Sequence, residues 1–292
     1  MKRKGIILAG GTGTRLHPST ISVSKQLMPV FDKPMIYYPL SVLMQAGLQD
    51  ILIITTPHDQ AAFQHLLGDG QRWGLNLQYE VQPSPDGLAQ ALIIAEGFLD
   101  GAPSAMVLGD NLFFGQAFSD HIVTVAEAHT GATVFGYHVQ NPGAYGVVGF
   151  NEHKKVISLE EKPANPASNY AVTGLYFYDQ NASNYAKQLQ PSKRGELEIT
   201  DLNSVYLDRG ELNVELLSDG TTWLDTGTHK SLLQAANFVS VIEDRQGRRI
   251  CCPEVIAYEK GWIDASQLCA LAKPLEKSGY GEYLMRVVSR KV

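Results

Sequence analysis

The stretch that decides the fold is GIILAGGTGTR, residues 5–15, near the start of a chain of 292 residues. Residues 5–9 form a short apolar run, which is typical of a buried strand. Glycines follow at positions 10, 11 and 13, and they let backbone N–H groups approach an anion without obstruction by side chains. A strand that enters such a loop indicates either a phosphate-binding loop or an ordinary tight turn, and the glycines alone do not decide between them.

Two cations after the glycines favour phosphate binding. Arg15 offers a planar guanidinium fork and Lys25 a compact ammonium charge, and both kinds of cation suit a triphosphate. The Walker pattern Gly-x4-Gly-Lys-Ser/Thr is absent, which disfavours an ATPase of that type. A dehydrogenase is disfavoured too, because the third glycine of the dinucleotide fingerprint is missing. In addition, Lys25 and Gln26 stand shortly before the position, about 20 residues after the glycine loop, where that fingerprint has its acidic ribose-binding residue.

Beyond the loop, short apolar runs alternate with amphipathic stretches, as in strands joined by crossover helices. Further buried strands are predicted at residues 50–55 and 104–108. Helical spacing predicts one helix through Ile36, Leu40 and Leu43, with Pro34 in its first turn and Gly47 at its end. A second helix is predicted from the apolar face Leu88, Leu92, Ala95 and Leu99, and a third at residues 119–129.

The chain becomes strand-rich after residue 130 and helical again near its end. Strands are predicted at residues 132–139, 146–150, 156–161, 174–178 and 213–217, and helices from residue 229 and near 279–288. We therefore expect a Rossmann-like α/β fold with a mixed, mostly parallel central sheet flanked by helices. One main domain should cover residues 1–240, and a small C-terminal helical appendage residues 241–292.

Composition limits the classes of partner. The 24 basic and 30 acidic residues give a formal charge of −6 without long runs, so nucleic acid is not an expected partner. No signal peptide and no apolar stretch of about 18 residues is seen, so we expect no membrane partner and a cytoplasmic location. Cys251, Cys252 and Cys269 lack metal or disulfide spacing, and the first two should pack as small apolar residues.

Several polar residues stand where predicted strands end. Asp110 follows the strand at 104–108, at the carboxyl edge where open α/β sheets bind ligands. Asp225 lies in a turn-like segment, and sequence alone does not pair it with Asp110. Glu161 and Lys162 close the strand at 156–161, where such a dipeptide is otherwise most often a surface ion pair.

A set of ordered motifs carries a resemblance that extends over essentially the whole chain. The motifs are LAGGTGTRLHP (8–18), SKQLMPV (24–30), QP (82–83), LGDN (108–111), YGVV (145–148), EEKP (160–163) and WLDTGT (223–228). Together they resemble the nucleotidylyltransferases that make nucleotide sugars, and within that group the glucose-1-phosphate thymidylyltransferases. The resemblance implies transfer from dTTP to α-D-glucose 1-phosphate, giving dTDP-glucose and pyrophosphate for dTDP-sugar and surface polysaccharide synthesis.

The resemblance also implies roles for individual residues. Asp110 and Asp225 would ligate Mg²⁺, a hard cation that prefers carboxylates and phosphate oxygens, and Arg15, Lys25, Lys162 and Asp110 would be catalytic. The residues implied to bind the nucleotide are Leu8, Gly10, Gly11, Thr12, Gly13, Arg15, Lys25, Gln26, Gln82, Gly87, Leu88 and Asp110. Those implied to bind the sugar phosphate are Asn111, Tyr145, Gly146, Glu161, Lys162 and Val172.

Within this set, Gln82 and the backbone of Gly87 would contact the thymine edge, and Gln26 the deoxyribose. Leu8 and Leu88 would pack on the base, although leucine at these positions equally suits a core. The nucleotide would occupy residues of about 1–130 and the sugar phosphate those of about 131–228. Segment 248–264 resembles the family's region for homotetramer contacts and for a secondary site that takes a dTDP-sugar or a nucleotide.

Two alternatives stay open at this stage. The same chemistry with UTP or ATP would use the same phosphate groups and differ only at the base. A catalytically silent nucleotide-sugar sensor would keep the pocket but release no pyrophosphate, and the intact set of charged residues disfavours it.

Overall fold

A computed structural model describes residues 1–290 of the chain. Its strands are short and most of them are buried. They are β1 (Lys4–Ala9), β2 (Pro29–Val30), β3 (Lys33–Pro34), β4 (Asp50–Thr55), β5 (Asn76–Val81), β6 (Ser104–Leu108), β7 (Asn111–Phe114), β8 (Ala132–His138), β9 (Gly146–Phe150), β10 (Val156–Glu161), β11 (Tyr170–Tyr178), β12 (Leu212–Leu216) and β13 (Thr222–Asp225).

The helices connect these strands and then form the C-terminal part. They are α1 (Tyr37–Gln45), α2 (Gln60–Leu67), α3 (Gln90–Ile94), α4 (Glu96–Leu99), α5 (Gln116–Glu127), α6 (Ala182–Ala186), α7 (Ile199–Asp208), α8 (His229–Gln246), α9 (Pro253–Glu259), α10 (Ala265–Ala272) and α11 (Gly279–Arg290). In the part of the chain that the structure describes, no helix is long and apolar enough to cross a membrane.

The central sheet has nine strands and is mixed, as predicted. Its parallel part runs β5-β4-β1-β6, and β11 pairs antiparallel with β6. Beyond β11 the sheet divides: β9 and β10 continue on one path, while β8 and β12 continue on another. The carboxyl ends of β1 and β6 are neighbours, so the loops that leave them lie side by side.

Alternation along the inner strands separates two hydrophobic cores. Ile7 and Ala9 of β1 face a core that includes α1, α5 and the C-terminal helices, whereas Ile6 and Leu8 face a core formed with α3, α4, α6 and α7. This alternation follows from the pleat, which points successive side chains to opposite faces. The sheet is thereby covered on both faces, as its parallel part requires.

A small antiparallel pair, β7 with β13, stands apart from the main sheet. In its register Asn111 lies opposite Asp225, and the side chain and backbone of Thr226 donate to the carbonyl oxygen of Asp110 at 2.8 and 3.3 Å. Two segments more than 100 positions apart are joined here. The pairing therefore brings Asp225 beside Asp110.

The last helices are attached through α8. Ala235 and Val239 of α8 pack with Val30, Met35 and Tyr38 in a third buried cluster. The boundary expected after residue 240 falls inside α8, so the two parts of the chain are joined by a continuous helix.

Most predicted elements are confirmed, and three predictions are wrong in detail. Pro34 lies in β3 and not in the first turn of α1. The helix predicted from Leu88 to Leu99 is two short helices, because Ala95 between them has turn geometry (ψ −5°) and the poor helix former Gly97 follows. Strand β11 begins at Tyr170, well before residue 174, since its first half pairs with β8 and β9.

Candidate active site

A cavity of about 380 Å³ opens at the carboxyl ends of β1 and β6. All the residues predicted to bind nucleotide, sugar phosphate or metal line it except Thr12 and Gly13. Lining residues that the sequence did not single out as site residues are Pro85, Leu108, Ala144, Gly174, Tyr176, Glu196, Ile199, Thr200 and Trp223. The fold thus gathers segments from across the chain into one space.

The glycine loop follows β1 and turns sharply. Gly11 and Gly13 have φ values of 96° and 60°, a region that side chains disfavour. Gly13 precedes a single 3₁₀ turn, Thr14–Leu16, which carries Arg15. Thr12 is exposed and does not line the cavity, and Gly13 precedes the turn that carries Arg15, which does line it.

Lys25 and Asp110 form an ion pair at the centre of the site. The side chains are only 12% and 16% exposed, and the lysine ammonium donates to the carboxylate. Burial alone would raise the pKa of Asp110, but the charge of Lys25 and the hydrogen bonds from Lys25 and Asn111 outweigh it and lower that pKa. Asp110 is therefore held as a carboxylate.

Asp225 has the opposite electrostatic environment. Its pKa is raised, first by burial and then by the negative charge of Asp110, against the opposing effects of Lys25 and Arg15. Within residues 1–290 no cluster of three or more His, Cys, Asp or Glu side chains suited to a metal occurs. A pair of carboxylates with substrate oxygens is nevertheless a suitable donor set for a hard divalent cation, and added positive charge would relieve the repulsion that raises the pKa of Asp225.

Asn111 is fixed by three hydrogen bonds. Its amide oxygen accepts from Trp223 Nε1 at 2.6 Å and from the backbone of Gly174 at 3.1 Å, and its amide nitrogen donates to Asp110 Oδ1 at 2.9 Å. A Cβ at position 174 would lie 2.6 Å from the Asn111 oxygen, so glycine is required there. Trp223 thus helps to orient Asn111 and, through it, Asp110.

The predicted sugar-phosphate residues meet where β9 and β10 pair. Gly146 lies opposite Glu161 in the register, and a Cβ added to Gly146 would be 3.2 Å from Thr200 Oγ1. Thr200 donates to Glu161 at 2.6 Å. Lys162, with φ 45° where the strand ends, keeps a 3.2 Å ion pair with Glu161 and is 47% exposed. Its ammonium is accessible to an incoming phosphate.

The remaining residues predicted to bind the sugar phosphate are Tyr145 and Val172. Tyr145 accepts a hydrogen bond from the backbone N–H of Lys162 at 3.0 Å, which fixes the segment before Gly146. Val172, on β11, lines the same wall.

The predicted base-side residues occupy the other end of the cavity. Gln26 is 3% exposed; its amide oxygen accepts from Ser24 at 2.8 Å. Gln82 is 6% exposed, and a Cβ at Gly10 would lie only 2.3 Å from its amide oxygen. Leu8 and Leu88 line the cavity and also contact the core on that side of the sheet, so their core role is confirmed and their packing on a base stays a prediction.

Gly87 shows why a glycine stands beside Gln82. It has φ 112°, and a Cβ there would lie 2.3 Å from the carbonyl oxygen of Leu197. The loop is clamped at this point, because Leu197 also donates to the Asp86 carbonyl at 2.7 Å. A segment near residue 197 that carries no periodic pattern therefore shapes the base end of the cavity.

A glycine loop with facing cations and two adjacent carboxylates, at the carboxyl edge of a mostly parallel sheet, defines a nucleotide-binding transferase. A model of the nucleotidyl transferase family matches residues 4–241. Glucose-1-phosphate thymidylyltransferases are 63% identical in Xanthomonas campestris pv. campestris (99% of this chain, 98% of that one) and 56% identical in Neisseria meningitidis serogroup A (98% and 100%). The chain therefore belongs to the nucleotidyl transferase family and, within it, to the glucose-1-phosphate thymidylyltransferases.

Solved structures agree with this fold. A Bacillus anthracis crystal structure assigned to glucose-1-phosphate thymidylyltransferase, in complex with sucrose, is 42% identical with a TM-score of 0.75, covering 81% of this chain and 94% of that one. A UDP-glucose pyrophosphorylase complexed with UDP-glucose has a TM-score of 0.73 at 22% identity, covering 85% and 100%, and it supports the fold alone. Enzymes of this family generally depend on a divalent metal.

Proposed function

We propose that the chain transfers the thymidylyl group of dTTP to α-D-glucose 1-phosphate, forming dTDP-glucose and pyrophosphate. The observation that carries the proposal is the single cavity that joins a glycine loop, three cations, two carboxylates and a polar sugar wall. Relatives named for this activity are 53–63% identical over nearly the full chain. The product would supply pathways that convert dTDP-glucose into other sugars for surface polysaccharides.

The reaction is an in-line displacement at phosphorus. A phosphate oxygen of the sugar phosphate attacks the α-phosphorus of dTTP and a new P–O bond forms. The bond from that phosphorus to the oxygen bridging the β-phosphate breaks, and pyrophosphate leaves with the electron pair. Since a phosphate monoester is already anionic near neutral pH, the protein supplies alignment and charge neutralisation and needs no nucleophile or general base of its own.

In this proposal, different cations of the cavity bind the triphosphate and the phosphate of the sugar. Backbone N–H groups of the glycine loop and Arg15 would hold the triphosphate. Lys25 is paired with Asp110 in the free protein and would turn to the α-phosphate when the nucleotide binds. Lys162, largely exposed at the other end of the cavity, would hold the phosphate of the sugar.

Asp110 and Asp225 would hold the metal, for which we propose Mg²⁺. When bound, Mg²⁺ would neutralise charge on the phosphate oxygens during displacement. The protein's own contribution is to keep both carboxylates in place, through the β7–β13 pairing and the bonds from Thr226 and Asn111.

Substrate identity is tested by competition. The chain is incubated with Mg²⁺, an equimolar mixture of dTTP, UTP, ATP, CTP and GTP, and several sugar 1-phosphates, and the products are separated by mass. We expect dTDP-glucose as the main product. A product with another base would reassign the nucleotide, and the absence of any nucleotide sugar together with no pyrophosphate would favour a sensor.

The metal role is tested with Asp110→Asn. We expect metal-dependent turnover to disappear while the thermal unfolding profile stays near that of the wild type, because the amide keeps the size of the side chain, Lys25 still faces the charge of Asp225, and the repulsion between the two carboxylates is removed. Asp208→Asn, the same change on the exposed face of α7, should have no effect. Near-normal activity of Asp110→Asn would remove this residue from the metal site.

We further propose that the C-terminal part provides a regulatory site. A second cavity of about 550 Å³ lies between the start of α5 and the segment from Arg248 to Lys260. Its cations suit the diphosphate of a dTDP-sugar or a nucleotide. Arg248 is 63% exposed and makes a 3.3 Å contact with Glu259. Arg248→Ala should weaken inhibition by a dTDP-sugar without changing basal turnover, and unchanged inhibition would refute the role of this cavity.

We propose a homotetramer, as the resemblance implies. Leu233 and Val241 lie two turns apart on α8 and are 61% and 56% exposed, so they could contribute apolar surface to a subunit contact. Light scattering should give about four times the chain mass of 32.0 kDa. A mass of one chain would refute the tetramer.

A further inference from the structure

Behind the base end of the cavity, polar side chains form a chain of hydrogen bonds that runs from the surface to Gln82. The amide nitrogen of Gln82 donates to the carbonyl oxygen of Gly87 at 3.2 Å and to the amide oxygen of Gln90 at 2.7 Å. A primary amide has two N–H donors, so both are used inside the protein. The amide oxygen of Gln82 remains, and it lies beside Gly10 at the cavity wall.

The direction of each link is fixed from the surface inward. Gln90 donates through its amide nitrogen to Asp86 Oδ2 at 3.0 Å, and Ser84 donates to the same oxygen. A carboxylate only accepts hydrogen bonds. The nitrogen of Gln90 therefore faces Asp86, its oxygen faces Gln82, and the nitrogen of Gln82 is drawn away from the base.

We propose that Gln90 is a positioning residue for base selection, which keeps the amide oxygen of Gln82 turned toward the nucleotide. Gln90 itself does not line the cavity, so it acts through Gln82. The proposal rests on the proposed function and adds the group that selects the class of pyrimidine.

The consequence for the substrate follows from the edges of the bases. Thymine and uracil carry an N–H at ring position 3, which an amide oxygen can accept. Cytosine has an unprotonated ring nitrogen there, so two acceptors would face each other and one would stay unsatisfied at a desolvated site. When its amide oxygen faces the base, Gln82 therefore selects thymine and uracil over cytosine. It does not distinguish thymine from uracil.

The test compares dTTP, dUTP and dCTP with wild type, Gln90→Leu, Gln90→Glu and Gln188→Leu. Gln188 is exposed and is not among the residues that line the cavity, so Gln188→Leu is the matched control. Both kcat/KM at saturating glucose 1-phosphate and calorimetric Kd are measured. The Kd values test the amide orientation even if wild type forms no nucleotide sugar, which would count against the proposed function alone.

For Gln90→Leu we expect the preference for dUTP over dCTP to fall about tenfold, the factor that corresponds to one net hydrogen bond. The preference for dTTP over dUTP and the kcat at saturating dTTP should stay within about twofold. Gln90→Glu should keep the wild-type preference, because one carboxylate oxygen still accepts from Gln82; the lost bond to Asp86 lies at an exposed position, so the repulsion there is screened by solvent and should affect stability and not preference.

A purely structural role for Gln90 predicts a different pattern. It would lower stability or activity with all three nucleotides alike, and the dUTP to dCTP preference would not move. That result, or Gln90→Glu behaving like Gln90→Leu, or an equal loss of preference in Gln188→Leu, would overturn the proposal.

Discussion

Glu243 on α8 joins the C-terminal part of the protein to the catalytic part, and its replacement should be costly. Its side chain is 3% exposed and contacts Lys33 Nζ at 3.0 Å, Arg249 Nη1 at 2.6 Å and the backbone N–H of Ile250 at 3.0 Å. Asp32 completes the cluster by pairing with the same lysine and arginine. Two acids therefore balance two bases in a largely dry environment.

Glu243→Gln keeps the size of the side chain and leaves one positive charge uncompensated. Removing one partner of a buried ion pair costs about 3–5 kcal/mol. Because Asp32 remains and Arg249 is 18% exposed, we expect a loss near the lower end, about 3 kcal/mol. The loss should be seen as a lower free energy of unfolding in urea at pH 7.

The matched control is Glu259→Gln, the same change in an exposed pair with Arg248. Exposed pairs contribute about 0–1 kcal/mol, so this variant should unfold close to the wild type. A loss below about 1 kcal/mol for Glu243→Gln, or equal losses for both variants, would refute the assignment of the cluster as a buried anchor.

The same cluster predicts a pH dependence. Burial alone would lower the pKa of Lys33, but Asp32 and Glu243 outweigh it and raise that pKa above its ordinary value of 10.5. A raised lysine pKa stabilises the fold fully below the ordinary value, and this stabilisation is lost as the pH rises through the folded-state pKa. The difference between wild type and Glu243→Gln should therefore be constant from pH 7 to 9 and shrink only in strong alkali; a difference that shrinks near pH 8 would contradict it.

Trp223→Phe keeps an aromatic ring but removes the donor to Asn111, so we expect kcat/KM to fall about tenfold with little change in melting temperature; unchanged kinetics would show that this bond does not orient the site. Burial raises the pKa of Cys251 to about 12, so iodoacetamide at pH 8 should label the native protein once, at the partly exposed Cys269, and two or three adducts in the intact mass would contradict the buried environment. Gly10→Ala would place a carbon 2.3 Å from the amide oxygen of the base-site glutamine, and the KM for dTTP should rise more than tenfold while kcat changes less; an unchanged KM would mean that this glutamine does not read the base.

Three strands of the parallel centre, β1, β4 and β6, were predictable because each is a short apolar run with a clear boundary, whereas β5 was missed because polar residues interrupt its apolar ones. Strands β4 and β6 have the predicted limits, and β1 differs by one residue. Asp110 was predictable as a site residue for the same reason, since the carboxyl end of a buried strand in such a sheet is where ligands bind.

The pairing of Asp110 with Asp225 was not predictable from pattern. It depends on β7 and β13, two strands of four residues, which are too short to show an alternation that identifies them. Only the family resemblance joined the two aspartates, and the β7–β13 register now gives the physical reason.

Residues in the segment before α7 were missed for a related reason. Glu196 lines the cavity from a loop, and Thr200 lines it from the first turn of α7, a helix that the spacing of apolar residues did not predict. Gln90 was missed because its contact is to another side chain and not to the cavity, and such a contact exists only after the loop at 84–90 has folded.

The most direct measurement is a crystal structure of the protein with dTTP and magnesium. We predict the triphosphate against the loop at residues 10–13, with Arg15 and Lys25 on its oxygens, and the metal between Asp110 and Asp225. A triphosphate bound elsewhere, or a metal that contacts neither aspartate, would contradict the central claim that this cavity is the place of nucleotidyl transfer.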